Sequence, residues 1–248
     1  MKIVQITDLH ISNQNENTFG VDTRQNFLDA LKAARDASPD LIVLSGDLCF
    51  DKADPKIYRW IKSHLDFLKI PYTVIGGNHD DSAILAETFD IGHLLVGNEL
   101  YFKRIFGEHT LLFLETSRGL VSNEQLKWLD IELGRQKSDT VVFMHHPPVI
   151  GGVPYMDANH ALQNMDDVQR LFLGFSYHIT VFCGHYHVEK TLSVRNLSVH
   201  ITPSTYFQID WRYDGFKVDH LRIALREINL RKDGVVDSTV IYFDGNKT

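Results

Sequence analysis

A short, β-branched apolar run recurs five times in this chain, and each copy ends on a cluster of histidine, aspartate or asparagine. The runs are Lys2–Thr7 (KIVQIT), Leu41–Ser45 (LIVLS), Tyr72–Gly76 (YTVIG), Val141–Met144 (VVFM) and Ile179–Cys183 (ITVFC). The clusters that follow are Asp8-Leu9-His10, Gly46-Asp47, Gly77-Asn78-His79-Asp80, His145-His146 and Gly184-His185-Tyr186-His187. Runs of this kind, bounded by Gly, Pro or Asp, have the pattern of strands buried on both faces. In an open α/β sheet the ligand site lies beyond the carboxyl ends of the strands. Five clusters far apart along the chain are therefore expected to meet at one rim.

Helical patterns separate the runs. Phe27, Ala30, Leu31 and Ala34 fall at helical spacing and predict a helix over Thr23–Ala37. A second helix is expected over Pro55–Leu68, with Pro55 in its first turn, before a strand opened by Pro71. Ser82–Thr88 reads as a polar helix and Thr110–Thr116 as a strand. Ser122 with Gln125 forms a capping-box pattern, opening a helix that turns Leu126, Leu129 and Leu133 inward. Strand Thr140–Met144, a Gly/Pro-rich loop over Pro147–Pro154 and a helix over Asp166–Phe175 follow. Such βα alternation implies parallel pairing with right-handed crossovers.

After Leu192 the pattern changes to short alternating runs: Val199–Thr202, Tyr206–Trp211, His220–Glu227 and Val235–Phe243. These are expected to be antiparallel, with a turn at Asp233-Gly234. The expected fold is α/β, a two-sheet β sandwich flanked by helices. Residues 1–248 are expected to form one domain, with a motif-bearing core over 1–190 and a β-rich part over 191–248.

The net charge of −7 and the lack of a long basic run argue against a grip on a nucleic-acid polymer. A small phosphorylated substrate is still accommodated, because a metal site carries its own positive charge. No apolar stretch approaches the ~20 residues of a membrane span. With the first strand starting at Lys2, no signal peptide is expected, and the expected compartment is the cytoplasm. The two cysteines, Cys49 and Cys183, read as small buried hydrophobes rather than a disulfide.

The clusters offer two carboxylates (Asp8, Asp47), four imidazoles (His10, His145, His185, His187) and one amide (Asn78) as metal donors. Asp8 and His10 are two apart, so along an extended exit they would point to one side. This mixed N/O set suits two divalent or trivalent ions such as Mn, Fe or Zn. Asp47 is the natural bridge between them, because no neighbouring ligand in its cluster chelates one ion alone. Paired ions activate water and clamp the attacking and leaving oxygens of an in-line displacement, so phosphoester hydrolysis is the chemistry expected.

The motif series DxH, GD, GNHD, H and GHxH, spanning Asp8 to His187, resembles the calcineurin-like metallophosphoesterase superfamily. The segments HHPP at His145–Pro148, CGHxH at Cys183–His187 and TPSTYFQ at Thr202–Gln208 resemble its bacterial class III cyclic-nucleotide phosphodiesterase branch. The resemblance implies that Asp8, His10, Asp47 and His187 hold one metal. Asp47, Asn78, His145 and His185 would hold the other. It implies that His79 and Asn78 face the phosphate, that His79 stabilises it or protonates the leaving alkoxide, and that Asp80 orients His79 by a hydrogen bond. His146 would stand behind the ligands. Phe50 occupies the place of the metal-bound tyrosine of purple acid phosphatases, and His79 that of an arginine in lipid A pyrophosphatases.

The implied reaction is hydrolysis of a small phosphodiester, foremost a 3′,5′-cyclic nucleotide such as cyclic AMP, to a 5′-monophosphate by a metal-bridging hydroxide. Glycerophosphodiesters and 2′,3′-cyclic nucleotides are the alternatives within the fold, and a DNA-repair-type nuclease is less favoured by the charge. Loop 151–160, with Tyr155, Met156, Asp157, Asn159 and His160, follows His145 and is a candidate roof over the site. Phe207 and Gln208 are candidates to lie near the metals. Arg118 and the remaining histidines, such as His64 and His220, read as surface or structural residues. The β-rich tail is a candidate homodimer surface.

Overall fold

A computed structural model describes residues 1–13 and 16–248. Two mixed sheets face each other. The first contains β1 (Lys2–Ile6), β2 (Leu41–Ser45), β3 (Tyr72–Ile75), β12 (Ile223–Leu230) and β13 (Val236–Phe243), in the order β13-β12-β1-β2-β3. The second contains β4 (Phe102–Phe106), β5 (His109–Phe113), β6 (Thr140–Phe143), β7 (Ile179–Cys183), β8 (Lys190–Val194) and β9 (Leu197–Ile201), in the order β4-β5-β6-β7-β9-β8. A two-residue strand β10 (Gln208–Ile209) pairs with β11 (Val218–His220). Strands β1, β2 and β3 are parallel, as are β5, β6, β7 and β9, and the outer strands run antiparallel.

Alternation along the central strands divides the core. Leu111, Phe113, Val141, Phe143 and Phe182 turn toward the first sheet, while Leu112, Leu114, Val142, Met144 and Val181 turn toward the outer helices. Each central strand is therefore apolar on both faces, which is why the sequence reads as unbroken runs. Between the sheets a ladder of stacked rings crosses five strands: Phe102, Phe113, Phe143, Phe182 and His200, with centroids 4.9, 5.3, 5.6 and 5.0 Å apart. Helices α1 (Thr23–Asp36) and α2 (Pro55–Leu68) bury Phe27, Ala30, Ile57 and Ile61 in the core they share with the first sheet. Behind the second sheet lie α4 (Asn123–Arg135), α5 (Pro154–Asn159) and α6 (Met165–Gly174), while α3 (Ser82–Thr88) joins α2. The two-sheet sandwich with flanking helices agrees with the sequence expectation.

The differences have local causes. Gln125 does not close a capping box: Ser122 accepts from its N–H at 3.1 Å, but its side-chain amide bonds the backbone of Glu115. Leu126 is only half-buried, whereas Leu129 and Leu133 are buried. The expected strand Tyr206–Trp211 shrinks to Gln208–Ile209, because Ser204 and Gln208 exchange side-chain-to-backbone bonds that take the place of a ladder. The run His220–Glu227 breaks at Leu221-Arg222, leaving β11 and β12 as separate strands. Strands β4 and β8 carry alternating polar residues on half-exposed edges and were not expected from the pattern. Strand β9 lies parallel to β7 rather than only antiparallel, because the β8–β9 hairpin folds back beside β7. Asp233-Gly234 does lie in the β12–β13 turn, with Gly234 at φ +84°. No described helix is long and apolar enough to cross a membrane, and both cysteines are free and buried.

Candidate metal centre

The five polar clusters follow the carboxyl ends of β1, β2, β3, β6 and β7. Their side chains converge because the backbone turns sharply there. Asp8, His10, Asp47, His185 and His187 all sit in the left-handed region, with φ of 54°, 45°, 51°, 66° and 51°. The exit from β1 is thus not extended, as the spacing of Asp8 and His10 suggested, but coiled. Each such residue costs on the order of 1–3 kcal/mol and persists where the surroundings over-determine it. Gly46, at φ +107°, lets the β2 exit pass under His145, where any side chain would strike the imidazole. Gly77 is equally confined, since a Cβ there would collide with the Asp47 carboxylate.

Three donor groups form, each with atoms within 4.8 Å of one another: Asp8, His10 and His187; His10, Asp47 and His79; and Asp47, His145 and His185. Asp47 and His10 are each shared by two groups. The contacts between them are short: His187 Nε2 to Asp8 Oδ1 3.4 Å, His145 Nε2 to Asp47 Oδ2 3.2 Å, and His10 Nε2 to Asp47 Oδ2 3.7 Å. Asn78 is exposed at the rim and lines the same cleft, of about 310 Å³. Five of the seven sequence-nominated ligands thus line one cleft, and the buried Asp8 and His145 join them through the donor groups.

Carbonyl partners fix which imidazole nitrogen faces inward. A carbonyl only accepts, so the nitrogen beside it carries the proton and the other keeps its lone pair. His145 Nδ1 donates to Ser45 O and His187 Nδ1 to Phe207 O, both at 2.9 Å. His185 uses Nε2, donating to His160 O at 2.9 Å, and His79 uses Nδ1, donating to Asp51 O at 3.0 Å. The inward atoms are then His145 Nε2, His187 Nε2, His185 Nδ1 and His79 Nε2. Among the described residues His145 Nε2 is a buried polar atom with no hydrogen-bond partner. His10 Nε2 and His187 Nε2 face each other at 3.1 Å.

Buried charges reinforce this arrangement. Burial alone would raise the Asp8 and Asp47 carboxyls, but the imidazoles beside them win. His187 and His145 hold Asp8 at about 2, and His145, His10 and His79 hold Asp47 well below the carboxylate range. Burial would lower His145, yet Asp47 and Asp8 raise it to about 9, so Nε2 carries a proton beside Asp47 that a bound metal would displace to reach the lone pair. Burial pushes His10 and His185 down to about 3, so both stay neutral and able to ligate. Two buried carboxylates, inward lone pairs and an orphaned imidazole nitrogen form a donor set that fits divalent metal ions.

Asp80 does not orient His79, as the resemblance implied. Its carboxylate accepts from the N–H groups of Leu48 (3.1 Å) and Gly77 (2.9 Å) and from the Tyr58 hydroxyl (2.9 Å). It thereby ties the β2 exit to the β3 exit, while the Asp51 carbonyl holds His79. Burial and the nearby Asp47 raise the Asp80 carboxyl to about 6. His146 stands behind His185, with ring centroids 4.0 Å apart and Nδ1 2.9 Å from Thr116 Oγ1. Arg118 pairs with Glu99. The loop after His145 contains α5, started by Pro154, and His160 reaches the centre through its carbonyl as well as its ring. Sequence reasoning missed Asp51, whose role is carried by a carbonyl that any residue supplies, and Phe19 and Phe216, which no local motif connects to the centre.

Comparison with known proteins agrees with this geometry. The family described as calcineurin-like phosphoesterase matches residues 1–189. A Fibrobacter succinogenes protein named probable cyclic nucleotide phosphodiesterase is 34% identical over 210 residues, covering 85% of this chain and 82% of its own. The 3′,5′-cyclic adenosine monophosphate phosphodiesterase CpdA of Haemophilus influenzae is 28% identical, covering 97% and 89%. The glycerophosphodiester phosphodiesterase GpdQ of Enterobacter lignolyticus is 28% identical, covering 86% and 81%. A dimetal phosphatase from Danio rerio shares the fold at TM-score 0.69 and 10% identity, covering 98% of this chain and 99% of its own. The strand-end motifs, the metal-competent donor set and these likenesses identify the chain as a member of the calcineurin-like phosphoesterase family, a metal-dependent phosphoester hydrolase.

Proposed function

We propose that residues 1–248 form one dinuclear phosphodiesterase domain acting on small diesters, foremost 3′,5′-cyclic nucleotides. The observation that carries this reading is that Asp47 belongs to two donor groups at once. In this reading Asp8, His10, Asp47 and His187 hold one ion, and Asp47, Asn78, His145 and His185 hold the other. When bound, the ions supply a Lewis acid for the phosphate and lower the pKa of water. The protein's part is to fix the donors and to move one proton. Water, having given one proton to solvent, would bond through its oxygen to phosphorus as the bond from phosphorus to the 3′-oxygen breaks. His79, doubly protonated with Nδ1–H on the Asp51 carbonyl, would deliver its Nε2 proton to that oxygen and then regain one from solvent. The Asp51 carbonyl on Nδ1 holds the ring so that Nε2 faces the cleft. The relatives named for cyclic nucleotides and for glycerophosphodiesters support the diester class and divide over the alcohol.

The test is kcat/KM on Mn²⁺-loaded protein for 3′,5′-cyclic AMP, glycerophosphoethanolamine and bis(p-nitrophenyl) phosphate. The reading expects cyclic AMP to reach about 10⁴ M⁻¹s⁻¹ or more, the lower range of typical enzymes. Brisk cleavage of the other two beside negligible cyclic AMP turnover would keep the diester chemistry and replace the substrate.

A further inference from the structure

The cleft is lined by metal donors and, beside them, by a wall of rings that includes Phe19, Tyr155, Phe207 and Phe216. Phe216 is central to this wall, with ring centroids 5.7 Å from Tyr155, 5.8 Å from Phe207 and 6.2 Å from Phe19. Phe19 also meets Phe207 edge-on at 5.8 Å. These rings come from three regions of the chain, around Phe19, around Tyr155 and the segment that carries Phe207 and Phe216, and converge here. Packing does not account for Phe19 and Phe216, which stay 58% and 43% exposed.

The backbone of Phe19 sharpens the point. It sits at φ +54°, a left-handed conformation that is unusual for a bulky residue. An exposed ring on a strained backbone gains little from burial and loses conformational energy, a combination that persists at functional positions. The wall is also in register with the metal donors. His187 donates from Nδ1 to the Phe207 carbonyl at 2.9 Å, and Ile209 N–H donates to the His187 carbonyl at 3.0 Å. On the other side, His185 donates to the carbonyl of His160, whose ring lies 5.4 Å from Tyr155. A diester centred on the donors would therefore have one alcohol beside these rings.

We infer that Phe19, Phe207, Phe216 and Tyr155 form a subsite that selects the alcohol of the diester by stacking, taking a nucleobase by its face and not by its edge. The inference rests on the proposed diesterase reading and adds how the alcohol is chosen. Of these four side chains only Tyr155 carries a polar group, and its hydroxyl is 3.4 Å from His160 Nε2. Every base has a π-face, so stacking of this kind favours ring-bearing alcohols with little discrimination among bases. The enzyme should then accept adenine and guanine cyclic nucleotides alike and disfavour glycerol diesters.

Phe216→Leu keeps apolar volume and removes the ring, while Phe19→Asn removes a ring and places a residue that tolerates the left-handed backbone. On Mn²⁺-loaded protein, kcat/KM is measured for cyclic AMP, cyclic GMP and glycerophosphoethanolamine, with thermal unfolding of each variant. Wild type should turn over the two nucleotides within about threefold of each other, as sequence-tolerant stacking implies. Each variant should lower kcat/KM for both nucleotides roughly tenfold or more, mostly through KM, relative to glycerophosphoethanolamine. Phe19→Asn should do so while unfolding at the same or a higher temperature, which a merely structural ring would not allow. Equal losses on ring-bearing and ring-free substrates, or a wild-type preference for one purine above about a hundredfold, would overturn the stacking subsite alone. Wild type that cleaves glycerophosphoethanolamine but neither nucleotide would overturn the cyclic-nucleotide reading and the subsite with it.

Discussion

At the scale of single residues, the centre is built less by its ligands than by the atoms that hold them. Four imidazoles are aimed by carbonyls of Ser45, Asp51, His160 and Phe207. Asp80 fastens two strand exits through two backbone N–H groups and the Tyr58 hydroxyl. Outer partners of this kind command about 10–100-fold in metal affinity. Asp80→Asn should accordingly weaken Mn²⁺ binding by that factor, read by chelator competition, and an unchanged affinity would show that the two exits hold without it. The ligands were legible because chemistry restricts them to Asp, His and Asn at strand ends. Their supports were not, since a carbonyl carries no signature in a sequence, and Asp80 beside His79 suggested a contact that the fold directs elsewhere.

Elements show where periodicity suffices and where it fails. Strands β1, β2, β3, β6 and β7 and helices α1, α2 and α6 were legible within a residue or two, because burial on one or both faces leaves a strong pattern. Edge strands β4 and β8 answer to pairing more than to burial and left none. Ser122 caps α4, accepting the Gln125 N–H and donating to Glu99. Ser122→Ala should cost about 1 kcal/mol and lower Tm by a few degrees, roughly 2–4 °C for a chain of this size, with kcat unchanged. An unaltered Tm would mean the cap contributes nothing.

The loop that carries Phe216 is pinned by Asp210, whose carboxylate accepts from Lys217 Nζ at 2.9 Å and from the backbone and side chain of Arg212 at 3.1 Å. These hydrogen bonds, from Lys217 first and then Arg212, lower its carboxyl from 3.8 to about 2. A folded pKa below the unfolded one means the contribution is fully present above about pH 3.8 and is lost as pH falls through about 2. Near neutral pH, Asp210→Asn should therefore loosen this loop, seen as faster amide exchange over residues 211–217. Unchanged exchange would place the restraint elsewhere.

Across the whole molecule, two sheets deliver donors from both sides to one centre: Asp8, His10, Asp47, Asn78 and His79 from the first, and His145, His185 and His187 from the second. The sandwich places in contact residues as far apart in sequence as Met1 and Leu230, 229 positions. That is why the convergence of motifs could be anticipated from strand ends, whereas of the ring wall only Tyr155 and Phe207 were candidates and Phe19 and Phe216 left no signal. The account turns on Asp47 serving two ions. The most direct measurement is metal content by mass spectrometry of Mn²⁺-loaded wild type and Asp47→Asn, with diester turnover on the same samples. The account predicts two ions per wild-type chain. It predicts fewer in the variant, with turnover reduced by at least about a hundredfold, the upper loss commanded even by a ligand's outer partners. One ion per wild-type chain, or a variant that keeps its metal and its rate, would contradict it.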